Sequence, residues 1–503
     1  MAGYLKRLLT TAAAYQLADI VSKLLALGLL PVYTRHLTRS DYGVAELLAT
    51  AVIFVSILVR LGIGEAFVRF WYETEDPRER DALARRSFGF LLVTTSVLAA
   101  VAAAFAGPLS SAIVEQRDTP TFLAAVLGLW AFTNLELAYA LLRVEERART
   151  YATASLVNVA LTIAATLVLV VGLGRGAEGL LLGNYGASTL VLLGLWVSQR
   201  RRLFAVPASL SVPLRRLLAF GGPTVPAEAS VFALNLVDRY WLFHMRSPAA
   251  AGLYSLAVKL AGVVVFSVRA FQYAWPPLAY SVRDDVDAAR LYALVATYYV
   301  AATGWVVAGL ALLGRWVVRL LAAPSFFDAH RALPWVALGW ALYGLVLVLV
   351  AVAGRAKVTT RNFPAALAGL VVNVVLLAVL VPAHGAAGAG MALCGAYLVL
   401  LAVLHLLTRR LFPVSFEWRR LLHAVTVCGG VAVLGELLLP TSGAAGLLSR
   451  AAAALLIGPL LIATGFLRPP ERAALLRLRP ERMCRLSRLG TRLRRPFGRL
   501  RHP

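Results

Sequence analysis

GAEGLLLGNYG, from Gly176 to Gly186, and GAAGAGMALCG, from Gly385 to Gly395, carry glycine at the same three places. Gly176, Gly179 and Gly186 recur as Gly385, Gly388 and Gly395, at a spacing of 209 residues. The same spacing relates Asp19 to Glu228, Gly43 to Gly252 and Arg60 to Arg269. In each copy a carboxylate sits inside an apolar run and an arginine sits near the end of the next run. Two copies of one hydrophobic unit, with charges in matching runs, is the layout of a two-lobed membrane protein whose halves face a shared polar interior.

Composition agrees. Of 503 residues, 60% are hydrophobic and 15% charged, and the mean hydropathy is +0.76. A globular domain is about 45–50% apolar and about 25% charged. A helix needs about 20 apolar residues to cross the bilayer, because every backbone polar group must be satisfied inside lipid. Fourteen such runs are predicted, near 11–33, 44–64, 88–108, 122–141, 153–173, 179–197, 220–242, 252–273, 291–313, 333–353, 365–382, 387–407, 421–439 and 447–467. The expected fold is an all-α polytopic membrane protein of about 14 transmembrane helices. It has two six-helix lobes related by an internal repeat, residues 1–216 and 217–410, then two additional helices in 411–467 and a basic tail over 468–503. The longest gap, Glu65 to Ser87, leaves no room for a soluble catalytic domain.

Charge sets the expected orientation. With the N-terminus inside, 36 of the 50 Lys and Arg fall in inside segments, 9 in outside segments and 5 within the runs. Without the tail the bias is still 24 to 9. Lys and Arg accumulate on the cytoplasmic side, so both termini are expected there, in a bacterial inner membrane. The first run carries Asp19 and Lys23 and has no small-residue cleavage site, so it reads as a retained span, not a signal peptide. The net charge of +25 reads as loop arginine facing anionic lipid, not as a nucleic-acid footprint. The Arg- and Leu-rich tail is expected either on the inner leaflet or as a disordered basic segment.

The charges inside the runs are the functional candidates. Each costs about 2.5–3.5 kcal/mol at a span centre, so each should face a partner or a wet cavity. The basic set is Lys23, Arg60, Arg239, Lys259 and Arg269; the carboxylates are Asp19, Glu228 and Asp238. Asp19 and Lys23, four apart, share one helix face and either pair with each other or line a cavity. Asp238 and Lys259 lie at matching depths in adjacent antiparallel runs and are expected to pair. Arg60 and Arg269 sit near run ends, where they line the cavity or snorkel to the interface. Glu228 has Phe232, not a cation, at the position matching Lys23, so it is the carboxylate expected to respond to protons. Glu436, near the outer end of the thirteenth run, is expected to be interfacial, and Arg450 is counted with the outside segments. A basic cavity suits an anionic ligand, and for an amphiphile the head could be held there while the tail stays in lipid.

Two stretches resemble a known family. LPVYTRHLTRSDYGVAELLATAVIF, Leu30 to Phe54, resembles the start of bacterial polysaccharide flippases of the multidrug/oligosaccharidyl-lipid/polysaccharide exporter superfamily. FGGPTVPAEASVFALNLVDRYWLFHMRSPAAAGLYSLAVKLAGVVV, Phe220 to Val265, resembles the second half of that family, and AFQYAWPPLAYS, Ala270 to Ser281, fits it as well. The resemblance implies alternating access and a lipid-linked oligosaccharide on an undecaprenyl-type diphosphate, moved from the inner to the outer leaflet. It implies basic side chains on the diphosphate and coupling to protons or sodium through Asp19, Glu228 or Asp238. O-antigen, exopolysaccharide, capsule and peptidoglycan precursors all remain open as cargo.

Two further readings stand beside this one. An organic-cation or multidrug exporter of the same superfamily would want an acidic cavity. A membrane polymerase or ligase of surface polysaccharide would need a larger outside loop than the roughly 20 residues of Gly314 to Leu333. Neither a metal nor a cofactor is expected: Cys394, Cys428 and Cys484 are scattered and the seven His isolated. GLGRGAEG, Gly172 to Gly179, lacks the preceding strand of a phosphate loop and reads as a turn between runs.

Overall fold

The computed structural model describes residues 25, 27–203, 213–282, 284–356, 358–469 and 471. Nearly all of the first expected span, with Asp19 and Lys23, lies outside them, as does the tail beyond 471. The described residues fold as α-helices: α1 Leu30–His36, α2 Arg39–Arg60, α3 Ile63–Trp71, α4 Pro77–Ala104, α5 Ala106–Val114, α6 Thr119–Val144 and α7 Ala148–Thr166, which runs on as a π-helix over Leu167–Gly172. They continue with α8 Gly176–Ser198, α9 Arg200–Leu203, α10 Leu214–Gly221, α11 Val225–Met245, α12 Pro248–Leu260, α13 Gly262–Ser281, α14 Asp285–Leu321 and α15 Leu333–Arg355. The last four are α16 Asn362–His384, α17 Ala386–Thr408, α18 Trp418–Leu438 and α19 Gly443–Ala463. Eleven helices are long and apolar enough to cross a membrane, or thirteen if each of two bent pairs is one span. The chain is an all-α multi-pass membrane protein.

Local chemistry sets the helix starts. Thr38 and Asp41 form a reciprocal cap on α2, in which Asp41 N–H donates to Thr38 Oγ1 (3.0 Å) and Thr38 N–H to Asp41 Oδ2 (3.2 Å). Asp76, Asp118, Ser247 and Asp284 cap α4, α6, α12 and α14, and proline follows within two residues in the first three. The repeated glycines have a backbone reason: Gly176 and Gly385, entering α8 and α17, both take positive φ, +52° and +56°. A Cβ on Gly388 would overlap the Leu380 carbonyl, and one on Gly179 would crowd that of Leu169 at 3.1 Å. At the third pair only Gly395 is crowded, by Leu376, while Gly186 faces open space.

Helix faces match lipid and core. Val371, Val375 and Val379, four apart on α16, are each more than half exposed, an apolar stripe left uncovered among the described residues. α14 has 37 residues, about 55 Å at 1.5 Å per residue. That is well beyond the predicted 291–313, and the extra turns carry Asp285, Asp287, Arg315 and Arg319. In the first half α2 packs on α6, α6 on α8 and α8 on α7; in the second α13 packs on α15, α15 on α17 and α17 on α16. α18 and α19 pack on α14.

The short connections divide into two faces of the bundle. On the first, Ala323 N–H donates to Thr34 Oγ1 (3.0 Å), the Asp41 carboxylate lies beside Gly176 and the Arg246 guanidinium beside Gly385. On the second, Arg216 reaches Glu73 (3.3 Å), Arg355 reaches Asp285 (2.8 Å) and Arg420 donates to the Phe466 carbonyl (3.0 Å).

The last two helices correct one expectation. Arg450, counted with the outside segments, is fully buried seven residues into α19. Its guanidinium is ion-paired with Glu436 and donates to the carbonyls of Pro440 (3.0 Å), Leu439 (3.2 Å) and Leu312 (3.4 Å). Arg315 of α14 holds the other oxygen of Glu436 at 2.6 Å. Three helices meet at one carboxylate, because a guanidinium can fork between several acceptors.

Candidate functional site

The two halves touch at both faces, and glycine is the contact each time. On the first face a Cβ on Gly43 (α2) would overlap the Pro248 carbonyl and lie 2.9 Å from Gly252 N–H nitrogen; one on Gly252 (α12) would overlap the Arg39 carbonyl. On the second face Gly62 and Gly221 oppose each other, and a Cβ on either would overlap the carbonyl of the other. Gly62 is also left-handed, φ +71°, and follows Leu61 at φ +47°; this pair ends α2. Small residues let helix backbones meet this closely in a membrane.

An ion pair crosses between the halves near each glycine contact. Lys259 of α12 holds Glu46 of α2 at 2.6 Å, with the lysine side chain 40% exposed and the glutamate 14%. Lys259 Nζ also sits 5.1 Å from the centre of the Tyr42 ring. Arg60 of α2 holds Glu228 of α11 at 3.3 Å. Along α2, Glu46 and Arg60 are separated by about 21 Å at 1.5 Å per residue, so the two pairs lie near opposite ends of that helix.

Asp238 and Arg239 tie three helices of the second half together. Asp238 is fully buried. Its carboxylate accepts from Tyr254 Oη (2.8 Å, α12) and from Asn373 Nδ2 (2.9 Å, α16). Arg239 turns the other way, donating to Ser255 Oγ (3.2 Å) and the Asn235 carbonyl (3.0 Å).

These contacts revise the expected pairing. Asp238 and Lys259 do not form the ion pair that their depths suggested: the carboxylate is satisfied by neutral donors within its own half, and the lysine reaches across to α2. Glu228 does not lack a cation, because Arg60 supplies one, which removes the reason for singling it out as the proton-responsive group. Arg60 is therefore held across the interface. Arg269, its repeat counterpart, is exposed on α13 with no ion-pair partner among the described residues. Asp19 and Lys23 lie outside the described residues.

Sequence reasoning passed over Glu46, Tyr254 and Asn373. Glu46 lies two turns into α2, where a charge reads as an interfacial helix end. The 209-residue spacing did hold a signal, since Glu46 aligns with Ser255. Both accept from a cation of the second half, Lys259 for one and Arg239 for the other.

This is the fold of the multidrug/oligosaccharidyl-lipid/polysaccharide exporter superfamily. The structure is similar to a lipid II flippase, MurJ, in an inward closed conformation (TM-score 0.68, 14% identity, covering 90% of this chain and 98% of that one). It is also similar to a multidrug resistance MATE family transporter in an inward-facing conformation (TM-score 0.63, 14% identity, 78% and 94%). A third likeness is to the Vibrio cholerae MATE transporter VcmN in its bent form (TM-score 0.55, 12% identity, 85% and 98%). No curated protein matches the chain by sequence. The sequence profile of a family described as polysaccharide biosynthesis protein matches residues 8–278. The chain belongs to that polysaccharide biosynthesis family.

Proposed function

We propose that the chain is a flippase that moves an undecaprenyl-diphosphate-linked oligosaccharide from the inner to the outer leaflet of a bacterial cytoplasmic membrane, for O-antigen, exopolysaccharide or capsule assembly. The observation that carries this reading is Lys259, a partly exposed cation standing between two halves that touch at both faces. A diphosphate head needs such a cation and gains short, charge-assisted hydrogen bonds from it, while the polyprenyl tail stays in lipid. Arg60, Arg239 and Arg269, with Lys23, complete the basic set. The matching helix neighbours of the two halves support a division into lobes 1–216 and 217–410 that rock about the interface, with 411–467 as added helices. Opening one face breaks the Gly43–Gly252 contact, and opening the other breaks Gly62–Gly221. A coupling proton or sodium ion would act at a carboxylate. Asp238, buried among neutral donors, suits that role better than Glu228, which Arg60 already holds. The basic tail, 468–503, would rest on anionic lipid.

Lys259→Glu places two carboxylates together and removes the cation. Surface polysaccharide is expected to fall to background while the protein stays in the membrane at normal level. Normal export from that variant would refute the reading, and ethidium efflux that needs Lys259 would favour the multidrug alternative.

Orientation follows from the positive-inside bias, which puts the second face in the cytoplasm. Single cysteines at Glu75 and Ser325, both exposed, report it; the native Cys394 and Cys428 are buried. In intact cells an impermeant maleimide is expected to label position 325 and not 75. The reverse pattern would invert the topology.

A further inference from the structure

The Glu46–Lys259 pair occupies the cation that the cargo needs, and it lies directly under the first-face closure. Glu46 follows Gly43 by one turn on α2, and Lys259 follows Gly252 by two turns on α12, so the pair sits beneath the glycine contact on the same helix faces. Lys259 also touches the first member of a second closure. The Tyr42 ring beneath its Nζ is fully buried and meets Phe326 edge to face, with centroids 5.8 Å apart. Phe326 belongs to the 3-10 turn Pro324–Arg331 that joins α14 to α15, and the residue before that turn, Ala323, donates its N–H to Thr34 Oγ1. The turn of the second half is thus seated on α1 and α2 of the first, with Tyr42 between it and Lys259.

We propose that Glu46 is a displaceable counter-anion: the anionic head of the cargo takes its place on Lys259, and that exchange releases the first-face closure through Tyr42 and Phe326. The inference rests on the transport reading above. Exchange of one anion for another keeps the partly exposed Lys259 paired throughout. The freed Glu46 carboxylate then needs hydration. Within the closed halves it has no other cation to turn to among the described contacts, and opening the first face is what admits water to it. Without cargo the carboxylate returns to Lys259 and the face recloses. Cargo binding and opening are thereby linked through one carboxylate, and each must favour the other to the same degree.

The test uses the full chain in lipid nanodiscs, with farnesyl diphosphate as the anionic probe and spin labels on cysteines replacing Ser40 and Ser325, exposed positions of the first face on opposite halves. In the otherwise unaltered chain, farnesyl diphosphate is expected to bind and to lengthen the distance between the labels. Glu46→Gln removes the competing carboxylate. It should bind the probe roughly tenfold tighter, in line with the coupling of a close charge pair, and show the longer distance before any probe is added. Glu46→Asp keeps the charge and should return both readouts to normal, which separates charge from folding. If Glu46→Gln binds the probe no tighter than the unaltered chain does, Glu46 is not a displaced counter-anion, and the transport reading stands. If the unaltered chain binds no farnesyl diphosphate, both fall.

Discussion

Gly43→Ala is expected to shift the protein from a closed to an open first face. The added methyl would overlap the Pro248 carbonyl and crowd the Gly252 nitrogen, which are backbone atoms that no rotamer change can move. Relief requires α2 and α12 to separate. Overpacking of this kind costs about 1–3 kcal/mol. In a soluble core that is a modest loss. Here it acts on an equilibrium between conformations that lie within a few kcal/mol of each other, where the same energy changes populations roughly 5–150-fold. Ala251, 1% exposed on α12, supplies the readout: a cysteine there reacts with thiol reagents only when the face opens. Its labelling rate should rise by that factor in the Gly43→Ala background, with transport lost because the cycle cannot close. Gly252→Ala, whose methyl would overlap the Arg39 carbonyl, should act in the same direction. An unchanged labelling rate in both variants would show that the glycine contact is not a gate.

Arg450→Leu should give the largest loss of stability. The shorter leucine keeps only the apolar stem of the arginine and strips the donors from the carbonyls of Leu439, Pro440 and Leu312. Breaking a buried ion pair by removing one partner costs about 3–5 kcal/mol. The effect belongs at the lower end of that range, because Glu436 is 46% exposed and keeps Arg315. Glu436→Gln should cost less, since Arg450 retains its carbonyl acceptors. Thermal unfolding in detergent, compared for the two variants, checks the order. If Glu436→Gln is the more damaging, the stabilisation comes from the charge pair and not from the carbonyl fork.

Much of the architecture was legible in the chain. Apolar runs of about 20 residues become helices in lipid, because a helix satisfies its whole backbone within the run: eleven of the predicted spans have a membrane-length helix, the seventh and eighth are bent pairs, and the first lies almost wholly outside the described residues. The glycines at 176 and 385 announced two equivalent turns, and both proved to need a positive φ. Gly43 and Gly252 were visible as a repeat, but their mutual contact was not. The charges within the runs were visible too, since each carries a cost that local composition reveals.

The partners of those charges belong to the tertiary structure. Matching depth suggested Asp238 for Lys259, yet Lys259 faces Glu46, 213 positions away in the chain, and Asp238 faces Tyr254 and Asn373. Depth along a helix is set by residue number, which the sequence contains. The direction a side chain takes around the helix axis depends on how neighbouring helices rotate and cross. The 52° bend between α12 and α13, directly after Lys259, is part of that arrangement. Arg450 makes the same point from the opposite side: its place near the start of a run reads as an outside segment, and only the meeting of α14, α18 and α19 turns it into a core. Burial cost is a property of the residue and its immediate run, so the sequence determined which charges need partners. Partner choice is a property of helix packing over hundreds of residues, so only the folded bundle decided which ones they found.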